Sequence, residues 1–164
     1  ENLKEQYTTL AATSGEKALE LAAQAGAEGE VPVGAVVYET VSGTVVGEGR
    51  NQRECAHDPA GHAEMYAVRE AADRIGDWRL TGHSIAVTLE PCPMCAGLLV
   101  NARLDRLVYG AADPKAGAVD TLFQLTTDSR LNHRLEVLSG IEAEPCAQLL
   151  TSFFRQRRKP SSDA

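Results

Sequence analysis

Two short segments of the chain hold residue types that bind transition metals. The first is His62-Ala63-Glu64, and the second is Pro91-Cys92-Pro93-Met94-Cys95. Each stands at the predicted start of a helix, and Pro91 supports the second start because proline is favoured in the first helical turn. If the two segments form one site, the fold must bring two helix N-termini together. This requirement constrains the architecture more than any other feature of the sequence.

The two cysteines have a spacing that suits a metal site. In a first helical turn, the sulfurs of Cys92 and Cys95 lie on one side of the helix, and the electropositive N-terminus lowers thiol pKa values. Two thiolates and the imidazole of His62 are three ligands for zinc, which leaves a fourth position for water. Zinc lowers the pKa of such a water toward neutrality. Glu64, beside the metal rather than on it, is then placed to carry a proton to a leaving group.

Two other interpretations of the cysteines stay open on the residues alone. A redox pair explains the Cys-x-x-Cys spacing, but it leaves His62-Ala63-Glu64 to coincidence. A closed structural zinc site needs a fourth ligand, for which Cys55, His57 and Cys146 are the candidates. That second interpretation gives Glu64 no role, so we favour the catalytic one.

Hydrophobic patterning predicts strands that alternate with helices. Strand patterns cover 31–38, 44–49, 84–89, 106–109 and 135–138, and helix patterns cover 16–29, 61–75, 91–101 and 144–158. This alternation predicts an α/β sandwich with a partly parallel sheet. The length of 164 residues predicts a single domain over residues 1–164, with a frayed tail at 160–164.

Charge and cysteine content limit the functional classes. The net charge is −7, which argues against an extensively basic surface for nucleic acid. Residues 155–159 nevertheless concentrate basic side chains, so the chain can meet phosphate locally. No apolar stretch approaches the roughly 20 residues of a membrane-spanning helix. The 4 cysteines are too few for a secreted disulfide scaffold, so we expect a reduced, cytoplasmic protein.

Longer stretches around the two segments give the chain a resemblance to the bacterial tRNA-specific adenosine deaminases, within the cytidine-deaminase-like superfamily. The matching stretches lie within residues 16–159 and comprise 30–36, 47–51, 57–64, 89–97, 113–117, 132–134 and 153–155. His-x-Glu followed by Pro-Cys-x-x-Cys marks zinc nucleobase deaminases in general. The Asp113-Pro114-Lys115-Ala116-Gly117 loop, Asn132-His133 and Phe153-Phe154-Arg155 narrow the resemblance to the tRNA enzymes. Residues 1–15 match no part of the family pattern.

The resemblance implies a fold, an activity and a cofactor. The fold is a three-layer α/β/α sandwich with a five-stranded mixed sheet, and the protein is a homodimer. The activity is hydrolytic deamination of adenosine to inosine at the wobble position of a tRNA anticodon, on a base extruded from its stack. One Zn²⁺ per chain is held by His62, Cys92 and Cys95, and Glu64 is the catalytic proton carrier.

The resemblance also implies contacts with the anticodon stem-loop. The implied positions are Asn51, His57, Asp113, Lys115, Phe153, Phe154, Arg155 and Arg157. The aromatic rings would stack on a base, and the arginines would meet phosphates. Ala60-Gly61 stands where the family pattern has Thr-Ala, and we expect this departure to loosen the wall of the pocket.

Two other functions compete with this interpretation. A deaminase of free guanine, cytosine or a nucleoside would use the same metal chemistry, and the acidity of the chain favours it mildly. The salt dependence of substrate binding separates this alternative from a tRNA deaminase, because binding of a polyanion weakens steeply with salt, whereas binding of a free base hardly changes. A zinc-stabilised RNA-binding module without catalysis is the third candidate, and it predicts that Glu64→Gln has no measurable effect.

Overall fold

The computed structural model describes residues 3–158, so the predicted frayed tail at 160–164 lies outside the described residues. Its helices are α1 (Leu3–Ala27), α2 (Ala63–Ile75), α3 (Pro93–Asn101) and α4 (Ala143–Arg157), with a 3₁₀ turn at Leu125–Thr127. Its strands are β1 (Gly34–Glu39), β2 (Val45–Arg50), β3 (His83–Leu89), β4 (Arg106–Ala111) and β5 (Glu136–Ser139). The helix and strand patterns of the sequence therefore predict all five strands and all four of these helices, apart from their ends.

The strands form one mixed sheet in the order β2-β1-β3-β4-β5. β1 is antiparallel to both β2 and β3, whereas β3, β4 and β5 run parallel to one another. Central strands of this kind are covered on both faces, which explains why β1 and β3 read as nearly continuous apolar runs. The prediction of a five-stranded mixed sheet is confirmed.

Helices cover both faces of the sheet. Ile85 and Leu107 pack in a core with buried residues of α2 and α3, whereas their neighbours Ala86 and Val108 pack with Ala11 of α1. This alternation follows from the two-residue period of a strand. α4 joins α1 on the second face, so the three-layer α/β/α arrangement is confirmed.

The first helix is longer than the sequence pattern predicts. It begins at Leu3 rather than at residue 16 and ends at Ala27, just before Gly29, which has a φ of +85°. The residues it buries include Ala11, Ser14 and Ala18. Such small residues give little hydrophobic contrast, which is why periodicity alone misses this part of the helix.

Close contact between α2 and β2 fixes where α2 begins. A Cβ atom at Gly49 would lie 2.7 Å from the Ala67 nitrogen and would also meet the Ala63 carbonyl oxygen. The helix therefore lies directly on the backbone of β2, and its N-terminus is held at one edge of the sheet. Within residues 3–158, no helix combines the length and apolarity needed to cross a bilayer.

Candidate active site

The N-termini of α2 and α3 meet beside the carboxyl end of β3. The residues at these two N-termini, His62 and Cys92, have extended backbones and make no side-chain capping bond, so their side chains are free to face one another. The Sγ atoms of Cys92 and Cys95 lie 3.6 and 3.5 Å from Nδ1 of His62. The fold thus brings together the two segments that the sequence singles out.

The donor atoms of this cluster suit zinc. All three donor atoms lie within 4.8 Å of one another. Within residues 3–158, no other group of three or more His, Cys, Asp or Glu side chains is arranged so that it could hold a metal ion. In a zinc tetrahedron with bonds of about 2.0 Å to nitrogen and 2.3 Å to sulfur, the nitrogen and a sulfur are separated by about 3.5 Å. The observed spacing of His62 from Cys92 and Cys95 matches that geometry.

The candidates for a fourth, closing ligand lie elsewhere. Cys55 and His57 are exposed in the loop that precedes α2. Cys146 is buried on the face of the sheet that α1 and α4 cover, against Gly110. The described chain therefore offers a three-ligand site, which is the open arrangement typical of catalytic zinc.

Hydrogen bonding shifts the pKa values of the two thiols in opposite directions. The hydrogen bond from Cys95, with help from His62, lowers the pKa of Cys92 to about 4 against the effect of burial. The same bond and burial raise the pKa of Cys95. His62 has a raised pKa because its ring bonds to Cys92. The lowered pKa of Cys92 favours its thiolate form, which is the form that binds a metal cation.

Glu64 is the buried carboxyl group beside this cluster. It lies in the first turn of α2, is 3% exposed, and its Oε2 has no hydrogen-bond partner. Burial raises the pKa of Glu64, although the thiol of Cys95 opposes that shift by hydrogen bonding. A buried carboxyl group with a free oxygen and a raised pKa is suited to accept and release a proton during a reaction.

A cavity of about 210 Å³ opens beside the cluster and Glu64. Its walls include apolar side chains, among them Val31, Val33 and Leu89, and polar groups from Asn51 and Asp113. Sites for drug-sized ligands start at roughly 300 Å³. The cavity therefore admits one small group rather than an extended ligand.

Two of the predicted substrate contacts line this cavity. Asn51 is 7% exposed; its Nδ2 donates to the Val31 carbonyl, and its Oδ1 accepts from the Arg53 N–H. Asp113 accepts hydrogen bonds at Oδ1 from the N–H groups of Lys115 and Ala116. Both side chains therefore shape the loops that carry them as well as the cavity wall.

The other predicted contacts lie outside the cavity. His57 and Lys115 are exposed on loops. On α4, Phe154 is 42% exposed and Arg155 is also exposed, whereas Phe153 is half-buried. These four exposed positions form part of the surface rather than of the pocket.

Arg157 has structural partners of its own. Its guanidinium lies 4.5 Å from the centroid of the Phe153 ring and donates to the Gly29 carbonyl oxygen. Gly29 precedes the segment that contributes Val31 to the cavity. Arg157 and Phe153 thus tie the end of α4 to the segment that forms one cavity wall.

Three charged residues at the site belong to no motif that predicts a role for them. Arg53 and Glu90 line the cavity, and Glu30 is buried at 1% exposure behind the loop that carries Arg53. Glu30 accepts hydrogen bonds from the N–H groups of Cys55 and Glu54, at 2.6 and 3.2 Å. The sequence offers one signal, an acidic residue directly before the apolar run 31–38, which is costly to bury unless it has partners.

Gly61, which belongs to the Ala60-Gly61 departure, is closely packed. This residue is buried, and a Cβ atom there would lie 3.0 Å from the Asp58 carbonyl oxygen and 3.1 Å from the backbone of Arg53. The glycine therefore lets the loop close tightly onto itself just before His62.

The comparisons with known proteins agree with this geometry. The model of the MafB19-like deaminase family matches residues 12–158, so the fold and the site define a deaminase of that class. The tRNA-specific adenosine deaminase of Haemophilus influenzae is 47% identical over 142 residues, which cover 87% of this chain and 82% of that protein. The Bacillus subtilis enzyme of the same name is 43% identical over 148 residues, with 90% and 91% covered. The chain belongs to the family of tRNA-specific adenosine deaminases.

Solved structures show the same relationship. A tRNA:A34 deaminase studied for A-to-I editing at the wobble position is 38% identical, has a TM-score of 0.80, and aligns over 84% of this chain and 99% of its own. A guanine deaminase from Nitrosomonas europaea is 21% identical with a TM-score of 0.77, over 87% and 83% of the two chains, and it shares the fold alone. The resemblance that the sequence motifs indicate is confirmed.

Proposed function

We propose that this chain deaminates adenosine to inosine hydrolytically at the wobble position of a tRNA anticodon, with one Zn²⁺ per chain. The convergence of His62, Cys92 and Cys95 beside the buried carboxyl of Glu64 carries the proposal of deaminase chemistry. The relatives named above supply the choice of adenosine in tRNA as the substrate.

His62, Cys92 and Cys95 would hold the metal. The donor set and its spacing fit zinc, and Glu64 keeps an oxygen free instead of adding a fourth protein ligand. When bound, zinc supplies Lewis-acid activation of water at neutral pH. The N-terminus of α3 favours the thiolate forms that such a site needs.

Glu64 would move the proton. Hydrolysis replaces the exocyclic amino group at C6 of adenine with oxygen, so the attacking water loses two protons, of which one ends on the departing nitrogen and the other on N1 of the product. The free Oε2 of Glu64 accepts a proton from the water and delivers it to the amine, which leaves as ammonia. Burial supports this role because it raises the pKa of Glu64 and so favours the form that has accepted the proton.

The small cavity would take the extruded base. Asn51 and Asp113 supply polar contacts within it, and the apolar walls exclude water around the reacting atoms. The exposed His57 and Lys115 would meet the flanking nucleotides. Phe154 and Arg155 would contact the stem-loop by stacking and by phosphate pairing, with Phe153 and Arg157 beside them on α4.

The protein would act as a homodimer in the cytoplasm. Exposed apolar side chains at Met94, Leu122 and Phe123, on α3 and on the loop after β4, support a second copy as partner. Free thiols and a tRNA substrate support the cytoplasmic location. Light scattering on the purified protein tests the dimer.

The decisive test of function is inosine formation in a transcribed anticodon stem-loop with adenosine at the wobble position. Free guanine, cytosine and adenosine run in parallel as competing substrates. We expect conversion of the stem-loop alone. Release of ammonia from a free base alone would replace the tRNA substrate with a nucleobase and leave the metal chemistry standing.

A further inference from the structure

Glu90 is a second buried carboxylate at the cavity, and its surroundings differ from those of Glu64. It lies between β3 and α3 and is 2% exposed. Its Oε2 accepts hydrogen bonds from the N–H groups of Val119, Asp120 and Thr121, at 3.2, 3.2 and 3.1 Å. Its Oε1 accepts from the Asp113 N–H at 3.3 Å and from the Thr121 hydroxyl.

These five donors leave Glu90 no acceptor capacity for chemistry. An ionised carboxylate has about four lone-pair directions. Glu64, by contrast, keeps one oxygen without a partner. The environments of the two carboxyls therefore separate a proton carrier from a fixed charge.

The segment that Glu90 holds is a wall of the cavity. Residues 113–121 wrap around the carboxylate, and this segment contributes Asp113 and Ala116 to the cavity lining. A Cβ atom at Gly117 would collide with the Glu90 carboxylate and would lie 2.6 Å from the Asp113 carbonyl oxygen. The loop therefore rests directly on the carboxylate. The hydrogen bond from the Asp113 N–H to Glu90 fixes the position of Asp113, and Glu90 is two positions before Cys92 in the sequence.

We propose that Glu90 is a positioning residue, which fixes the 113–121 loop as a substrate-binding wall and so sets affinity for the nucleotide without entering the chemical step. This inference rests on the proposed function, since the nucleotide is the substrate given there. The Glu90 carboxylate is then a fixed anionic anchor for the loop, and it holds Asp113 at the cavity.

Glu90→Gln tests this role with little change of volume. An amide offers one oxygen and one NH₂ group, so at least one of the loop donors then faces another donor. Gly117→Ala perturbs the same contact from the loop side. Asp105→Asn is the matched control, because Oδ1 of Asp105 accepts the Gly82 N–H at 3.1 Å at the opposite edge of the sheet.

We expect Glu90→Gln to raise KM for the stem-loop about tenfold, equivalent to about 1.4 kcal/mol, with kcat within about twofold of the wild type. Amide hydrogen exchange over 113–121 should accelerate, while exchange over α2 stays unchanged. Gly117→Ala should shift KM in the same direction, and Asp105→Asn should leave KM unaltered. Unchanged exchange over 113–121, or a loss confined to kcat, would overturn the positioning role.

The experiment also separates this inference from the proposed function. If the wild-type chain converts no stem-loop, the proposed function fails, yet the exchange comparison still decides whether Glu90 holds the loop. If Glu90→Gln does not fold, Glu90→Asp keeps the charge on a shorter side chain and should show the same pattern more weakly. Stem-loop affinity measured in a Glu64→Gln background gives the binding effect without turnover.

Discussion

The floor of the cavity and the end of α4 are built in different ways. We use floor for Glu64 and the adjacent cluster of His62, Cys92 and Cys95. At the floor, Glu64 and Cys95 are buried, and each residue of the cluster sits within one helical turn of an N-terminus that the sheet fixes in place. At the end of α4, Phe154 and Arg155 are exposed. Under the proposed function, the chemical step would take place at a buried cluster, whereas recognition of the tRNA would depend on exposed side chains.

Removal of a metal ligand should have the largest effect. Cys92→Ala takes away the thiolate of lowest pKa and leaves two ligands, so we expect loss of bound zinc and loss of measurable turnover. Zinc content by elemental analysis and inosine formation check this expectation. Cys55→Ala, which removes an exposed thiol outside the cluster, is the control and should retain both. Full turnover in the metal-depleted variant would contradict the assigned ligand set.

Glu64→Gln comes next in size. It keeps the shape of the side chain but removes the proton carrier, so kcat should fall by about 10²- to 10⁴-fold. Zinc content and the thermal midpoint should stay close to the wild type, because Oε2 has no hydrogen-bond partner to lose. A Glu64→Gln variant that keeps wild-type turnover would contradict the assignment of Glu64 as the proton carrier.

Sequence motifs predict the floor far better than the loops around it. Cys92 and Cys95 are close in sequence, and helix geometry alone places their sulfurs on one side. Pairing of His62 with them needs only two helix starts at one sheet edge, which an α/β pattern supplies. The bonds from Glu30 to the loop before α2 and from Glu90 to the loop after β4 join residues more than 20 positions apart. No local pattern carries that information.

The beginning of α1 teaches a related lesson about packing. Residues 3–15 contain few large apolar side chains, yet Ala11 and Ser14 are buried against the rest of the fold. Tyr7 places its ring 4.6 Å from the guanidinium carbon of Arg106. Small residues permit close approach of a helix to a sheet, and this fit depends on partners that periodicity does not reveal.

Glu30 holds the loop before α2, and its loss should affect stability in a pH-dependent way. Burial acts to raise its pKa, but the N–H groups of Cys55 and Glu54 outweigh burial, so the folded-state pKa lies below the ordinary value. A lowered pKa stabilises the fold above the unfolded-state pKa of about 4.3, and this stabilisation is lost as the pH falls through the folded-state value. Glu30→Gln should therefore cost about 1–3 kcal/mol at pH 7 and less near pH 4.

Urea unfolding of Glu30→Gln and the wild type at both pH values measures that difference. Glu54→Gln, a change at an exposed carboxylate on the same loop, is the control and should stay within about 0.5 kcal/mol of the wild type. A destabilisation of equal size at pH 7 and pH 4 would show that the charge of Glu30 is not what holds the loop.

The smallest effect should come from Arg155, and it tests the contrast between floor and surface directly. Arg155 is exposed and Arg157 is tied to Gly29 and Phe153, so only Arg157→Ala should also lower stability. If Arg155 pairs with one phosphate, Arg155→Ala should weaken stem-loop binding a few-fold and reduce the salt slope by about 1. Arg79→Ala, at an exposed arginine stacked on Trp78 beyond the end of α2, is the matched control for loss of one positive charge. Equal slopes for Arg155→Ala and Arg79→Ala would remove α4 from the RNA-binding surface, since a general charge effect does not depend on where the charge lies.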